Sequence, residues 1–195
     1  MIFYIKDIHK IINIIKILEI VIIYAISNYS SSTMAGTKCF GITKTNQDSY
    51  LIKEHKDNKK ENIYTFGVFH GHGPKGHLVS QIIKKFFMDC SYLDFKNKKN
   101  ILDIFAKLSL FINHINYLDI DSNESGSTVI LLHINSNKII SINCGDSRAI
   151  LITKNKKVFQ LSIDYKPELP EEKKELKKMG EGLIKLGEWA HFELC

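Results

Sequence analysis

With 195 residues, 44% of them hydrophobic, the chain is long enough for one domain with a real core and too apolar for a disordered tail. Basic residues outnumber acidic ones 27 to 21, giving a net charge of +6, but every basic residue except Arg148 is lysine. The lysine runs at 56–60, 96–99, 154–157 and 173–178 have no interleaved aromatic platform, so they read as solvated loops and helix faces and no nucleic-acid partner is expected.

The first 26 residues stand apart. Ile5, Ile8, Ile12 and Ile15 recur at helical spacing, with Lys6, His9, Lys10, Asn13 and Lys16 on the other side, and 20–26 is apolar all round. Lys16 and Glu19 break the run before it reaches the roughly 20 apolar residues of a membrane span. They also interrupt the apolar region a signal peptide needs. Two readings of 2–26 stand side by side. One is a basic amphipathic helix associated with a membrane surface; the other is a leader that is never translated, with Met34 as the start. Residues 27–36, "SNYSSSTMAG", read as a linker. The organisation expected is therefore a leader and linker over 1–36 and a globular part over 37–195.

In the globular part, 49–53 reads as a short strand, 54–62 as a polar turn and 63–69 as a strong strand. A helix is expected over 77–90, with Leu78, Val79, Ile82, Ile83, Phe86 and Phe87 on one face and Gln81, Lys84 and Lys85 opposite. A second helix is expected over 101–118, with Leu102, Phe105, Leu108, Ile112 and Ile115 inward. Four strands follow as a meander, over 128–134, 138–143, 149–153 and 157–161, and 170–179 reads as helical. Short polar turns between strands imply antiparallel pairing. An early strand pair, two helices and a later meander suggest an α+β sandwich of layered sheets. There are four cysteines, at 39, 90, 144 and 195, with no CxxC spacing. They read as free, mostly buried thiols in a reducing cytoplasmic compartment.

Residues able to do chemistry sit at element ends. Asp48 lies in "NQDSY" just ahead of a strand, and His70-Gly71-His72-Gly73 forms a glycine-broken corner between strand and helix. "SGSTV" opens a strand at 125–129, and Asp146 turns the corner in "NCGDSRAIL". Each alone is a common turn. In this order, together with "LSIDYKPELPEEKKEL", they resemble the metal-dependent protein Ser/Thr phosphatases of the PP2C (PPM) family, over residues 37 to 181 or so.

That resemblance implies a PP2C-like sandwich of two antiparallel β-sheets flanked by α-helices, incomplete at the C-terminus. It implies a phosphoprotein substrate and two Mg²⁺ or Mn²⁺ ions, whose bridging water attacks phosphorus in line. Carried over residue by residue, Asp48 is a metal-site carboxylate, the Gly71 carbonyl is a metal ligand, His72 is the general acid and Asp146 belongs to a further, weaker metal site. Lys44 stands near, but offset from, the family's phosphate-binding arginine. Ser125–Thr128 and Ser147–Arg148 read as structural turns.

His70 stands where the family has the aspartate that bridges both metals. Neutral imidazole offers one usable lone pair and no negative charge, so it cannot bridge, and Mg²⁺ prefers oxygen ligands. His70, His72 and His77 have no helical i, i+4 spacing that would suggest zinc instead. The family's two later metal aspartates are not found before Cys195. Metal binding and turnover by this chain are expected to be weak, and His70→Asp alone is not expected to restore activity, because the later carboxylates are missing. The alternative expectation is a non-catalytic pseudophosphatase that binds phosphoproteins.

Overall fold

The computed structural model describes residues 16–21, 28–95, 97–114, 120, 124–135, 138–166 and 168–170. Strands β2 (Asp48–Lys56) and β3 (Asn62–His72) form a long antiparallel hairpin. Its turn is closed by the Asp57 carboxylate, which accepts the backbone N–H groups of Lys59 at 2.9 Å and Glu61 at 2.8 Å. This is the Asx-type closure expected of a polar "KDNKKEN" segment.

The chain then enters helix α1 (Gly76–Asp89), a short 3-10 turn (Tyr92–Phe95) and helix α2 (Lys98–Asn113). Helix α1 ends where Lys53 reaches over and donates to the carbonyls of Met88 and Cys90, the second at 2.6 Å. A cation at the negative end of a helix satisfies carbonyls that have no partner within it. Helix α2 starts three residues earlier than the hydrophobic pattern predicts. The Asn97 side chain caps it, accepting the Asn100 N–H at 2.9 Å. Its inward face also differs: Ile101, Ile104, Phe105 and Leu108 are buried, while Leu102 and Ile112 are only partly covered. Phe105 meets the ring of Phe87, centroids 5.6 Å apart, and Ile101, Ile104 and Leu108 share a core cluster with Phe87 and Phe95. The expected 115–118 extension and the helix over 170–179 lie outside the described residues, apart from Pro170.

Strands β4 (Gly126–Ser127), β5 (Val129–Ile134) and β6 (Lys138–Cys144) return the chain to the hairpin. The main sheet runs in the order β1-β6-β5-β3-β2, each neighbour antiparallel, with β4 paired to the end of β3. Alternate residues of β5 face opposite sides. Val129 and Leu131 join Leu51, Phe69, Ile140 and Ile142 beneath the two helices. Ile130, with Ile139, Ala149 and Leu161, forms a second cluster on the other side. Burial on both faces accounts for the apolar run Val129–Leu132 at the start of β5.

Strands β7 (Ile150–Ile152) and β8 (Val158–Gln160) form a separate two-stranded sheet. A single meander was expected from the turn spacing. The β5–β6 and β7–β8 hairpins form, but β6 does not pair with β7. At "NCGDS" the chain leaves the first sheet instead, and Asn143 and Gly145 hold the departure. Mixed α+β architecture with antiparallel sheets is therefore the fold class, as the pattern implied.

Strand β1 (Lys16–Val21) pairs antiparallel with β6, from Lys16 opposite Asn143 to Val21 opposite Lys138. This corrects the helical reading of 2–26 at the residues described. β6 would otherwise end the sheet with a row of unpaired backbone groups, and an Ile/Val-rich segment is well suited to cover such an edge. The rest of 2–26 lies outside the described residues. Among the described residues, no helix is long and apolar enough to cross a membrane. The cysteine expectation also needs correcting. Cys39 is exposed and Cys90 and Cys144 are half-buried, because Cys39 opens a short surface 3-10 turn (Cys39–Gly41) and does not lie in the core.

Candidate functional site

The corner is built around Gln47, a residue that sequence reasoning passed over. Its backbone carbonyl accepts the Gly71 N–H at 3.0 Å and the Ser80 hydroxyl at 2.7 Å. Its side-chain amide donates to the Gly73 carbonyl at 2.7 Å. One residue thus ties the start of β2, the end of β3 and the first turns of α1 together. Helix α1 has no side-chain cap of its own at Lys75. The Lys75 N–H instead donates to the Ser125 hydroxyl oxygen at 2.9 Å, so the "SGST" turn serves as a tertiary cap. Gly73 has φ +81°, and a Cβ there would lie 1.9 Å from the Glu124 carbonyl oxygen. Only glycine allows both the left-handed backbone and that approach.

Asp48 and His70 stand directly opposite each other across β2 and β3. The His70 Nδ1 lies 2.6 Å from Asp48 Oδ1, with the ring 59% and the carboxylate 41% exposed. The His70 backbone is held on both sides by Thr128, whose hydroxyl accepts the His70 N–H at 3.2 Å and whose N–H donates to the His70 carbonyl at 2.9 Å. Thr128 in turn shares a 2.6 Å hydrogen bond with the Ser147 hydroxyl. The "SGST" and "GDSR" motifs are therefore interlocked as scaffold behind the corner.

His72 lies opposite Gly126, whose missing side chain leaves room for the ring; a Cβ there would come within 2.6 Å of His72 Cε1. Burial pushes the His72 imidazole down to about 4; His70 adds to the depression and the Asp146 carboxylate opposes it. His77, at the start of α1, buries its Nδ1 without a hydrogen-bond partner among the described residues.

Asp146 is exposed at the tip of the turn after Gly145. Beneath it Asn143, 1% exposed, donates to the carbonyls of Gly145 at 3.1 Å and Ser147 at 3.4 Å and accepts the Ile163 N–H at 3.0 Å. Arg148 grips Asp164 through both its Nε and a terminal amino group. Lys44 sits in an exposed loop tied by its backbone to Gly36. Among the described residues, nothing ties its side chain to the corner. So Asp48, His70, Gly71, His72 and Asp146 gather at one end of the sheet, and Lys44 does not join them.

Asn143→Ala tests the scaffold. It leaves the Ile163 N–H and the Ser147 carbonyl without this partner, while Gly145 keeps the Tyr165 N–H, at a cost of roughly 2–3 kcal/mol. Thermal melting is expected to fall by about 5–10 °C at this chain size. A melt unchanged from wild type would show that the turn is held by other contacts.

This arrangement of corners can be compared with known proteins. Residues 32–190 match the family model described as "Protein phosphatase 2C". The chain belongs to the protein phosphatase 2C family. It is similar to "Probable protein phosphatase 2C 2" of Paramecium tetraurelia, with 29% identity over 164 residues, which is 77% of this chain and 53% of the relative. It is 31% identical over 141 residues to "Probable protein phosphatase 2C 35" of Arabidopsis thaliana, covering 70% of this chain and 40% of the relative. This PP2C chain thus spans about half the length of the curated relatives it matches. Among solved structures, a bacterial serine phosphatase aligns with TM-score 0.51 and 16% identity, over 77% of this chain and 62% of that one. At that identity the likeness speaks for the PP2C fold alone.

Members of the PP2C family are metal-dependent, so the donor set matters. Asp48 and His70 are bonded to each other, and the imidazole atom that faces Asp48 is committed to that contact. Among the described residues, no group of three or more His, Cys, Asp or Glu side chains could hold a metal ion. The described corner does not fit a pair of divalent cations.

Proposed function

We propose that this chain is a PP2C module that engages phosphoserine- or phosphothreonine-containing proteins and turns them over little or not at all. The observation that carries this reading is the 2.6 Å Asp48–His70 contact at the centre of the corner. Hydrolysis by two bound cations needs carboxylate oxygens facing the metals, and here a carboxylate faces an imidazole. Recognition of phosphorylated protein is supported by family membership. Membrane attachment through 2–26 forms no part of this reading, because Lys16–Val21 pairs with β6.

The competing reading is a metal-dependent Ser/Thr phosphatase using Mg²⁺ or Mn²⁺. One experiment separates them. The purified chain is given a phosphothreonine peptide and its unphosphorylated twin, with Mn²⁺ present. Phosphate release is expected at the level of the buffer blank, with binding of the phosphorylated peptide alone. Mn²⁺-dependent release above the blank would return the chain to the catalytic class. Equal affinity for both peptides would remove the phosphoprotein reading altogether.

A further inference from the structure

The contact between Asp48 and His70 does more than remove a metal ligand. The register of β2 and β3 sets the two residues face to face at the mouth of the corner. Two carboxylates at these positions would repel each other unless a cation lay between them. Here the ring nitrogen of His70 lies at hydrogen-bond distance from the carboxylate instead. An imidazole can supply an Nδ1–H to a carboxylate oxygen, the donor that Asp48 needs at this position.

Both partners are also fixed from behind. The His70 backbone is clamped by Thr128 through its N–H and its carbonyl. The Asp48 N–H donates to the Asn46 side-chain oxygen at 3.0 Å. A cation arriving at Asp48 would have to displace the imidazole from Oδ1 before it could bind there.

We propose that His70 is a built-in substitute for the cation: its ring satisfies Asp48 and keeps the corner assembled with no divalent metal. The proposal rests on the PP2C reading of this corner, but not on whether the chain binds phosphopeptides. It concerns the stability of the protein, so its test is a melt and not an assay of turnover.

Thermal melting of the wild-type chain is compared in EDTA and in excess Mn²⁺, beside the His70→Asp and His70→Asn variants. The wild type is expected to melt within about 1 °C in the two buffers. His70→Asp places like charges directly opposite, so in EDTA it should melt roughly 2–4 °C lower. Mn²⁺ should recover that loss. His70→Asn keeps an N–H donor and adds no charge, so it should melt near wild type and ignore Mn²⁺. As a check that needs no variant, the free Mn²⁺ resonance signal should be undiminished by wild-type protein. The proposal is overturned if Mn²⁺ raises the wild-type melt by several degrees, if wild-type protein depletes free Mn²⁺, or if His70→Asp melts like wild type in EDTA.

Discussion

Gly71→Ala is expected to lower the melting temperature by roughly 5–10 °C, more than any surface change near the corner. A Cβ at Gly71 would lie 2.1 Å from the Gly76 carbonyl oxygen and 2.7 Å from the Gln47 carbonyl oxygen. Both are backbone atoms at the junction of β2, β3 and α1, so neither can swing aside as a side chain could. The Gly71 N–H also donates to the same Gln47 oxygen, and the new methyl would push that bond apart. Overpacking a well-filled site costs about 1–3 kcal/mol, and a backbone clash of this depth belongs at the upper end. Each kcal/mol is worth about 2–4 °C for a chain of this size. Gly36→Ala is the control, because a Cβ there meets nothing within 4 Å. Its melt should move by less than about 1 °C. Equal melts for the two variants would mean that β3 and α1 do not approach each other as described.

The second large effect is a loss of stability in acid centred on His133. This residue sits in β5, 4% exposed, with its Nδ1 3.0 Å from the Thr65 hydroxyl and its ring 5.0 Å from that of Phe95. Burial pushes its pKa from 6.5 down to about 4, and the nearby charges of His55 and Lys138 add to the effect. A base whose folded pKa is depressed stabilises the fold while it stays neutral. That contribution is fully present above the unfolded value of 6.5 and is lost as pH falls toward about 4. The full span corresponds to about 3 kcal/mol.

Melting of wild type and of His133→Gln should therefore diverge on acidification. A glutamine keeps polar atoms for Thr65 and does not titrate. From pH 7 to pH 4.5 the wild type should lose roughly 5–8 °C more than the variant. Some acid sensitivity should survive in the variant, because burial also depresses His72 to about 4. Parallel curves would show that His133 is not the group that titrates.

Much of the fold was legible because local periodicity and burial agree. The 77–90 helix is found at Gly76–Asp89, and its Val79, Ile83 and Phe87 are the buried face. The paired apolar runs around "NSNK" form the β5–β6 hairpin as read. Where the reading missed, a partner elsewhere in the chain decided. Asn97 stood inside a lysine run, and only its bond to Asn100 shows it as the cap of α2. The apolar residues of α2 allowed more than one inward face, and in the packed core Ile101 and Ile104 are buried while Leu102 is partly covered. The segment at 16–21 was read as part of a helix because the isoleucines ahead of it recur at helical spacing, yet its Ile/Val-rich sequence pairs with the open edge of β6.

The candidate site divides the same way. The order of "NQDS", "FHGHG", "SGSTV" and "NCGDSRAIL" determined the family, and the identity of residue 70 determined that no bridging carboxylate is present there. These follow from covalent identity, which folding cannot change. The meeting of Asp48 with His70 was decided by the β2–β3 register, which brings positions 22 apart in the chain into contact. The roles of Gln47, Thr128 and Asn143 were likewise decided in three dimensions. Each is a short polar side chain that would be a satisfied turn residue anywhere else. Their bonds here reach across strands, because the backbone groups they serve belong to elements that only the packed sheet and helices bring together.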